Sequence, residues 1–575
     1  MAVAPNVSDL QSGVVKASQM ARAALEHTLQ HHQLQDFILA AILASIILLI
    51  IRNSMLSPLR GIPGPRLAGL TSLYEFYYDV IKNGTYAHQH PKMHQQYDST
   101  IIRISPNHVH IADPELFAIG PAGSRFRKAR YYYNSIGMST AIGSHYDVEA
   151  HHRHRSTMAV GFSTKSLQAF DPIIVNYARE IMDIIASRGL KGTPVVLSHH
   201  TQAYTIDVVA KISFGQPVGA MHEVGDHPPT VQAMDCFSNH FNFTKHFPYW
   251  QLILPFMPTS AVKRIMPGVH YIKEVGTRLI TNLIEQRRIE GRLDEEYQEG
   301  KGAIFETLLK PNPKKQYPAP DLNGLVEDAC AFLVGGSDTT GLTLQAVTLF
   351  VLRNPDVLCA LRAELDSASE FIRDSFDIHQ VSKLPWLTAV IRETMRLLPP
   401  TPGPLPREVP PEGIRVGKYF LPGGNANKGP GRQPGDAEFR PLSPAVCSLY
   451  ITIPASTQTQ KGSSRSVGWE KAVRAWWSGG THSVVDHARV SDASTSCAYF
   501  VFSSSIICGR EQHTDERFLA CRVAWHELLA FLALLFLRFD LELYESDETN
   551  LEWTEHMFTR IRAPVQVRIM KDRWA

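Results

Sequence analysis

The sequence predicts a mainly α-helical protein with small β-sheets, a fold of the α+β class. Segments with the apolar spacing of helices heavily outnumber segments with strand alternation, and one apolar helical stretch extends from Leu322 to Leu352. The clearest strand signal is Ile101–Ala112, which alternates and breaks at Ser-Pro-Asn, as a hairpin does. Other helices are expected near Tyr74–Lys82, His151–Gly161, Leu167–Ser187, Tyr204–Phe214, Gly268–Glu290, Ala360–Leu365 and Leu387–Leu398.

Length and composition favour one large domain behind an N-terminal anchor. The chain has 575 residues, but no Pro/Gly/Ser linker and no repeat divides residues 60–420. A net charge of +2 indicates neither a nucleic acid nor an acidic partner. No CxxC pair or metal-ligand spacing occurs among the seven cysteines, which indicates free thiols in a reducing compartment. They stand at positions 236, 330, 359, 447, 497, 508 and 521.

An apolar run near the N-terminus predicts a membrane anchor. After the polar segment 1–36, Phe37–Ile51 is apolar except for one serine, and we assign residues 37–52 as a transmembrane helix. The arginines that follow place the rest of the chain in the cytosol. The alternative is a buried core helix, while a cleaved signal peptide is disfavoured by the long polar segment before the run. We assign residues 53–66 as a proline-rich hinge. Its prolines stiffen the backbone where the chain leaves the membrane.

Two short motifs interrupt helical segments with chemistry-bearing residues. Gly335–Thr340 reads Gly-Gly-Ser-Asp-Thr-Thr inside the long helix, where each glycine costs roughly 1 kcal/mol relative to alanine. The acid and hydroxyls add a desolvation cost. Such a helix lets a large group approach its backbone and places a proton-delivery group beside it. Glu393 and Arg396 follow, spaced as partners on one helix face.

The two motifs, in this order, resemble the cytochrome P450 family of haem-thiolate monooxygenases. The resemblance implies the cytochrome P450 fold, with a haem b between the long central helix and a proximal cysteine loop. It implies that the catalytic residues, which deliver protons to dioxygen, are Asp338, Thr339 and Thr340. It implies that Gly335 and Gly336 lie against the haem. Glu393 and Arg396 would form a buried ion pair that clamps its proximal side.

The same resemblance implies three residues at the haem propionates. The family has Trp-x-x-x-Arg where this chain has His151 and Arg155, and a guanidinium can bind a carboxylate bidentately. The residues alone also allow a solvated basic helix start, or a metal pair made by His151 and His154. Arg407, after the proline-rich segment that ends the Glu393 helix, would be a second propionate partner. The alternative for that segment is a plain connector.

The sequence departs from the family at the cysteine loop. The haem iron needs a cysteine thiolate, held in Phe-x-x-Gly-x-Arg-x-Cys-x-Gly before a helix with Ala-x-x-Glu. Ala524 and Glu527 match that helix, but the ligand position, nine residues before Glu527, is Phe518. We assign Cys508 as the metal ligand, with Cys521 as the alternative. Residues 425–522 do not resemble the family, so we interpret them as a mis-spliced or frame-shifted segment; a genuine divergent insertion is the alternative.

The resemblance implies an enzyme with a catalytic domain at residues 67–424 and 523–575. Its reaction would be hydroxylation or epoxidation of a small apolar molecule, with O2 and with electrons from NADPH through a membrane-bound NADPH-cytochrome P450 reductase. The N-terminal pattern and the stretch from Ile101 to Glu115 are similar to fungal microsomal, trichodiene oxygenase-like members. We therefore expect a single-pass protein of the endoplasmic reticulum membrane that acts in secondary metabolism, with a terpenoid as one candidate substrate.

Two other functions compete with this one. The chain would be an inactive or misligated family member if no cysteine reaches the iron. It would be a haem-thiolate isomerase or dehydratase if it needs no reductase, but the Asp338–Thr339 pair argues against that reading, since the pair serves proton delivery to dioxygen.

Overall fold

The computed structural model describes residues 36–113, 126–189, 192–223, 227–247, 253, 256–293, 295–403, 405–423, 448–451 and 519–575. Within these ranges helices dominate. They are α1 Asp36–Ser54, α2 Arg66–Leu70, α3 Leu73–Phe76, α4 Gln89–Tyr97, α5 Arg130–Ser135, α6 Val148–Met158, α7 Thr164–Gly189, α8 Leu197–Phe214, α9 Pro229–Thr244, α10 Thr259–Ile265, α11 Pro267–Ile289, α12 Leu322–Leu352, α13 Pro355–Ser367, α14 Ile378–Val381, α15 Pro385–Leu397 and α16 Leu519–Arg538.

Short strands make four small sheets in the described ranges. The strands are β1 Ile101–Ser105, β2 His108–Ile111, β3 Arg127–Lys128, β4 Val195–Val196, β5 Arg407–Glu408, β6 Ile414–Val416, β7 Tyr419–Leu421, β8 Ser448–Ile451, β9 Phe539–Leu543, β10 Trp553–His556, β11 Phe558–Ile561 and β12 Gln566–Asp572. The largest sheet has the order β1-β2-β8-β5-β3, with β2 and β8 parallel. A second has the order β4-β12-β9, while β6-β7 and β10-β11 are antiparallel pairs.

The central helix α12 organises the core. The Asp321 side chain caps its start by accepting from the Gly324 N–H at 2.8 Å, which satisfies one of the free donors of the first turn. Most of its side chains are buried, and it packs on α8, α11, α15 and α16. A helix that is apolar on all sides belongs inside a large protein, and here it is enclosed by other helices.

The predicted mainly α fold with small sheets is confirmed. The long helix has the predicted bounds, Leu322–Leu352, and the predicted hairpin is the β1–β2 pair. The segment expected over Ala360–Leu365 is a fragment of the longer α13. The sequence pattern does not indicate α9, which mixes polar and aromatic residues without a clear apolar stripe. This helix does start with a proline in its first turn, a favoured position.

The apolar N-terminal run forms α1, which is 19 residues and about 28 Å long. Its apolar side chains are exposed along its whole length; Phe37, for example, is 72% exposed. The alternative of a buried core helix is therefore wrong. The exposed apolar surface is compatible with an anchor, since the hydrocarbon part of a bilayer is about 30 Å thick.

Candidate active site

The Gly335–Thr340 segment lies in the buried middle of α12. Thr339 Oγ1 donates to the Gly335 carbonyl one turn earlier, at 2.9 Å. Thr340 Oγ1 is buried and has no hydrogen-bond partner among the described residues. Gly336 faces helix α8, since a Cβ atom there would lie 2.8 Å from Val209 Cγ2. The close neighbour that requires a glycine at position 336 is therefore helix α8. This differs from the expectation that Gly336 lies against a haem.

Asp338 points into a hydrogen-bonded network that three other elements supply. Gln202 of α8 donates to its Oδ1 at 2.7 Å, and Ser238 of α9 donates to Oδ2 at 3.1 Å. Arg560 of β11 lies 3.0 Å from the same Oδ2. Burial raises the pKa of the Asp338 carboxyl above its usual range, while Arg560, Gln202 and Ser238 oppose that shift. The acid is therefore held in a fixed orientation inside the core.

A second group of site residues is a buried basic cluster. Arg407 of β5 is 1% exposed; its Nη1 donates to Tyr133 Oη at 2.6 Å, while Nη2 has no partner among the described residues. Lys128 of β3 is buried and donates to the Gly143 carbonyl at 2.7 Å. Burial, followed by the charges of Arg407 and Arg155, lowers the pKa of Lys128 well below its usual range. Basic groups are therefore concentrated here, and each disfavours the positive charge of its neighbours.

His151 of α6 belongs to the same cluster. Burial, followed by the charges of Lys128 and Arg155, lowers its pKa to about 2. The imidazole is thus neutral at physiological pH. The alternative of a fully solvated basic helix start does not describe this residue, because the side chain is half-buried. His154 lies 2.9 Å from Asp328 of α12, and the described residues hold no group of three ligands suited to a metal ion.

Glu393 and Arg396 form the expected pair on α15. Arg396 Nη2 donates to Glu393 Oε1 at 2.6 Å and Nε donates to Oε2 at 2.8 Å, which is a bidentate geometry. Arg396 is 31% exposed, so the pair is half-buried, and the expectation of a fully buried pair is wrong in this respect. Helix α15, which carries the pair, packs against α12, which carries the central motif.

Of the two cysteines assigned to the iron, Cys508 lies outside the described residues, and Cys521 is described in its backbone only. Cys521 lies in the first turn of α16, and Glu527 of the same helix is buried. Burial raises the pKa of Glu527 well above its usual range, and its Oε2 has no partner among the described residues. This setting favours the neutral form of the carboxyl, because isolated buried charge is costly.

The fold and the motifs agree with similarities to known proteins. The family described as Cytochrome P450 matches residues 98–426, more than half of the chain. The chain belongs to the cytochrome P450 family. It is 30% identical to the cytochrome P450 monooxygenase penB of Penicillium thymicola over 494 residues, which cover 84% of this chain and 98% of that protein. It is 31% identical to the cytochrome P450 monooxygenase asqL of Emericella nidulans over 471 residues, covering 81% and 87% of the two chains.

The crystal structure of a cytochrome P450, CYP102L1, superposes with a TM-score of 0.62 at 16% identity, covering 89% of this chain and 99% of that one. This likeness supports the fold. The relatives place the chain among fungal cytochrome P450 monooxygenases, which are oxidoreductases.

Cytochrome P450 membership implies a haem, and the basic cluster fits such a group. A haem carries two anionic propionates, and the cluster offers buried cations, including an Arg407 nitrogen that lacks a partner among the described residues. Leaving such cations uncompensated costs several kcal/mol per ion, so an anion at this place is favourable. Arg407, Arg155 and Lys128 would hold the propionates, and His151 would pack beside them.

The sequence patterns do not indicate several residues of this candidate site. Lys128 belongs to no recognisable motif. The pairing of β3 with β5 places it beside Arg407. The partners of Asp338 lie 100 to 222 residues away along the chain, and no local pattern connects such distant side chains. They are Gln202, Ser238 and Arg560.

Proposed function

We propose that this cytochrome P450 inserts one oxygen atom from O2 into a small apolar molecule, by hydroxylation or epoxidation, in fungal secondary metabolism. The observation that carries the proposal is the buried basic cluster around Arg407, which is suited to a haem. The haem, when bound, supplies the oxygen-activating chemistry. The substrate is an apolar compound, for which a terpenoid is one candidate.

The residues of this chain have separate tasks in the proposed reaction. Arg407, Arg155 and Lys128 bind the carboxylates of the cofactor, and His151 completes their surroundings. Glu393 and Arg396 stabilise the proximal side as a bidentate pair.

Proton delivery is assigned to the central helix. Asp338 accepts a proton from solvent and passes it to the hydroxyl of Thr339, which is held by the Gly335 carbonyl. Thr340, whose hydroxyl has no partner among the described residues, is a further donor. Gly335 provides the carbonyl that orients Thr339, and Gly336 allows α8 to approach the same turn.

We further propose that α1 crosses the endoplasmic reticulum membrane once, with the catalytic domain in the cytosol. The exposed apolar surface of α1 supports this placement, as do the arginines that follow it. NADPH would supply electrons through a membrane-bound reductase. In this proposal residues 37–52 anchor the protein, residues 53–66 form the hinge, and residues 67–424 and 523–575 make up the catalytic domain.

A second candidate is an inactive or misligated product. The family match ends at residue 426, next to the start of the segment 425–522, which does not resemble the family. This agreement supports the proposal that the segment replaces the natural cysteine loop. If so, this chain binds haem without a proper thiolate.

The deciding experiment is the reduced, carbon-monoxide-bound difference spectrum of this chain expressed in microsomes. A red-shifted Soret band would show a thiolate ligand and support an active monooxygenase, and Cys508→Ala and Cys521→Ala would then identify the ligand. A histidine-type band, or no band, would support the second candidate. Sequencing the transcript across residues 425–522 would then establish whether this segment is encoded as written.

A further experiment tests the proton-delivery role. Thr339→Ala should consume NADPH and O2 with little product, because the hydroxyl that passes the proton is gone. Thr348→Ala is the matched control, since Thr348 lies on the same helix and donates to the carbonyl one turn earlier at 2.8 Å. Full coupling of NADPH use to product in Thr339→Ala would contradict the role.

A further inference from the structure

The proline-rich hinge segment, residues 53–66, is docked on the body of the protein. Leu59 and Ile62 are buried, and they pack in one apolar cluster with residues of β1 and β2. The backbone extends this contact, because the Arg103 N–H of β1 donates to the Pro63 carbonyl at 2.7 Å. The segment that follows α1 is therefore packed against a sheet instead of standing free of it.

The side chain of Arg103 holds the same segment at its other end. Arg103 is 6% exposed, and its Nη2 lies within hydrogen-bonding distance of three acceptors. These are the Asn53 carbonyl at 3.0 Å, Ser57 Oγ at 3.1 Å and the Pro106 carbonyl at 2.8 Å. One guanidinium thus joins the last turn of α1, the hinge segment and the turn between β1 and β2.

Helix α2 closes on the same point. Asn53 is buried, and its Nδ2 donates to the Leu70 carbonyl at the end of α2, at 2.8 Å. A Cβ atom at Gly69 would lie 3.3 Å from Arg103 Nη1, so a small residue lets α2 approach the guanidinium. Buried polar groups that lose their partners carry a desolvation cost, and this network therefore resists opening.

The exposed residues next to α1 carry positive charge and apolar surface. No aspartate or glutamate occurs between Asp36 and Glu75. Exposed apolar side chains, Met55 and Leu56, lie between the first two of the three exposed arginines in this interval. The arginines are Arg52, Arg60 and Arg66. Cations beside apolar side chains suit the interface of a membrane with anionic headgroups.

We propose that Arg103 is a positioning residue that fixes the hinge segment to the catalytic domain, and that the segment held in this way binds anionic phospholipid headgroups through the exposed arginines. The inference rests on the proposed function in one respect, since it takes α1 as the membrane anchor. Anchor, hinge segment and catalytic domain then move as one body, instead of two bodies joined by a flexible linker.

The physical reason for an arginine at this place is its shape. A guanidinium presents several donors in a rigid planar fork, so it can serve acceptors from separate parts of the chain, whereas the ammonium of a lysine is a compact point charge on a flexible stem. The headgroups add a second attraction. The negative potential of the cytosolic leaflet favours each nearby arginine by about fivefold in a binding constant.

The first test measures hydrogen exchange of the backbone amides from Leu59 to Thr71 in the full chain in detergent. Arg103→Met should speed this exchange by at least about tenfold, because hydrogen bonds to a charged group are lost, while exchange in α12 should not change. Arg415→Met is the control, because Arg415 is an exposed arginine of β6. Ser57→Ala removes one acceptor of Arg103 and should have a smaller effect in the same direction, which keeps the test valid if Arg103→Met does not fold.

The second test measures the lipids at the surface of the full chain in phosphatidylcholine membranes. Electron paramagnetic resonance of spin-labelled phosphatidylserine gives its association constant relative to spin-labelled phosphatidylcholine. Wild type should prefer phosphatidylserine, and glutamine at all three arginine positions should remove the preference, by up to about fivefold per arginine. Arg415→Gln should leave it unchanged. The variants are Arg52→Gln, Arg60→Gln and Arg66→Gln, combined in one chain.

The outcomes separate this inference from the proposed function. Release of the chain from microsomal membranes by alkaline carbonate would contradict the anchor, and the role of Arg103 would then be decided by the exchange measurement in detergent. A chain that stays in the membrane, but whose hinge segment keeps wild-type protection in both Arg103→Met and Ser57→Ala, would overturn the inference and leave the anchor intact. Equal lipid preference in wild type and the triple variant would overturn the binding of headgroups.

Discussion

Replacing Lys245 should destabilise this protein in a pH-dependent way. Lys245 follows α9, and its ammonium lies 3.1 Å from Asp79 Oδ2 and 4.0 Å from Glu555 Oε2. Its side chain is 5% exposed, and those of the two carboxylates are 1% exposed or less. Glu75 adds a third buried carboxyl to the cluster. Lys245 therefore neutralises acids from the N-terminal turns and from the β10–β11 hairpin at once.

The expected cost of Lys245→Met follows from breaking a buried ion pair on one side. Such a change costs about 3–5 kcal/mol of unfolding free energy, because it leaves uncompensated charge in the core. Burial and the Asp79 carboxylate already raise the pKa of Glu75 to about 8 with Lys245 in place. Burial also raises the pKa of Glu555 against the opposing charge of Lys245. Without the cation the pKa of each carboxyl rises further.

The sign of the pH dependence follows from these raised values. A carboxyl whose pKa is higher in the folded than in the unfolded state stabilises the fold at low pH and loses that contribution as pH rises through the folded pKa. The destabilisation by Lys245→Met should therefore be larger near pH 8.5 than near pH 6, by up to about 1.4 kcal/mol per pH unit for each group that titrates in this range.

The assay is denaturant unfolding of the full chain at these two pH values. Lys263→Met is the matched control, because Lys263 is exposed on α10. The double variant Lys245→Met with Glu555→Gln should recover part of the lost stability, since it removes one of the uncompensated carboxylates. Equal destabilisation at both pH values, or strict additivity of the two changes, would refute this account of the cluster.

Three further changes have defined outcomes. Arg407→Leu should lower the amount of haem bound per polypeptide by a large factor, measured from the haem absorbance of the purified protein. Full haem content in this variant would show that the cluster does not bind the propionates. Gly336→Ala should destabilise the fold by about 1–3 kcal/mol, because the new Cβ would lie 2.8 Å from Val209, and Val209→Ala should recover much of this loss in denaturant unfolding. Glu527→Gln should leave stability nearly unchanged below about pH 4, close to the pKa of an unfolded glutamate, and increase it progressively as pH rises above that value, because the raised pKa of Glu527 costs the wild type stability as pH rises. A loss of stability at high pH would contradict this sign.

The parts of the fold that the sequence predicts are those specified by local patterns. The bounds of α12 can be predicted from the sequence, because Asp321 caps one end and a mostly apolar stretch continues to Leu352. The β1–β2 hairpin is readable because strands alternate and a proline-containing turn divides them. Helix α9 has neither signal, and its helical state depends on packing against α11 and the β10–β11 hairpin. Tertiary packing often overrides weak local propensity.

The candidate site divides in the same way. Asp338 and Thr339 are readable from one motif, and Glu393 and Arg396 from another. Arg560 belongs to the same network as Asp338, but it lies 222 residues further along the chain in a short strand with an ordinary composition. Neither spacing nor residue type reveals such a partner. It is set by the packing of the C-terminal hairpin against α9 and α12.

The C-terminal part of the chain bears on the origin of residues 425–522. After this segment α16 returns to the core, and its residues from Leu528 to Leu537 are 3% exposed or less. The helix packs on α7, α12, α13 and α15, which all precede the segment. A reading frame that stayed shifted would not produce a helix that fits this core, because core packing depends on each side chain. The departure from the family pattern therefore begins and ends within the segment. This supports the proposal that a correctly spliced transcript would restore the cysteine loop between two flanks that already fold together.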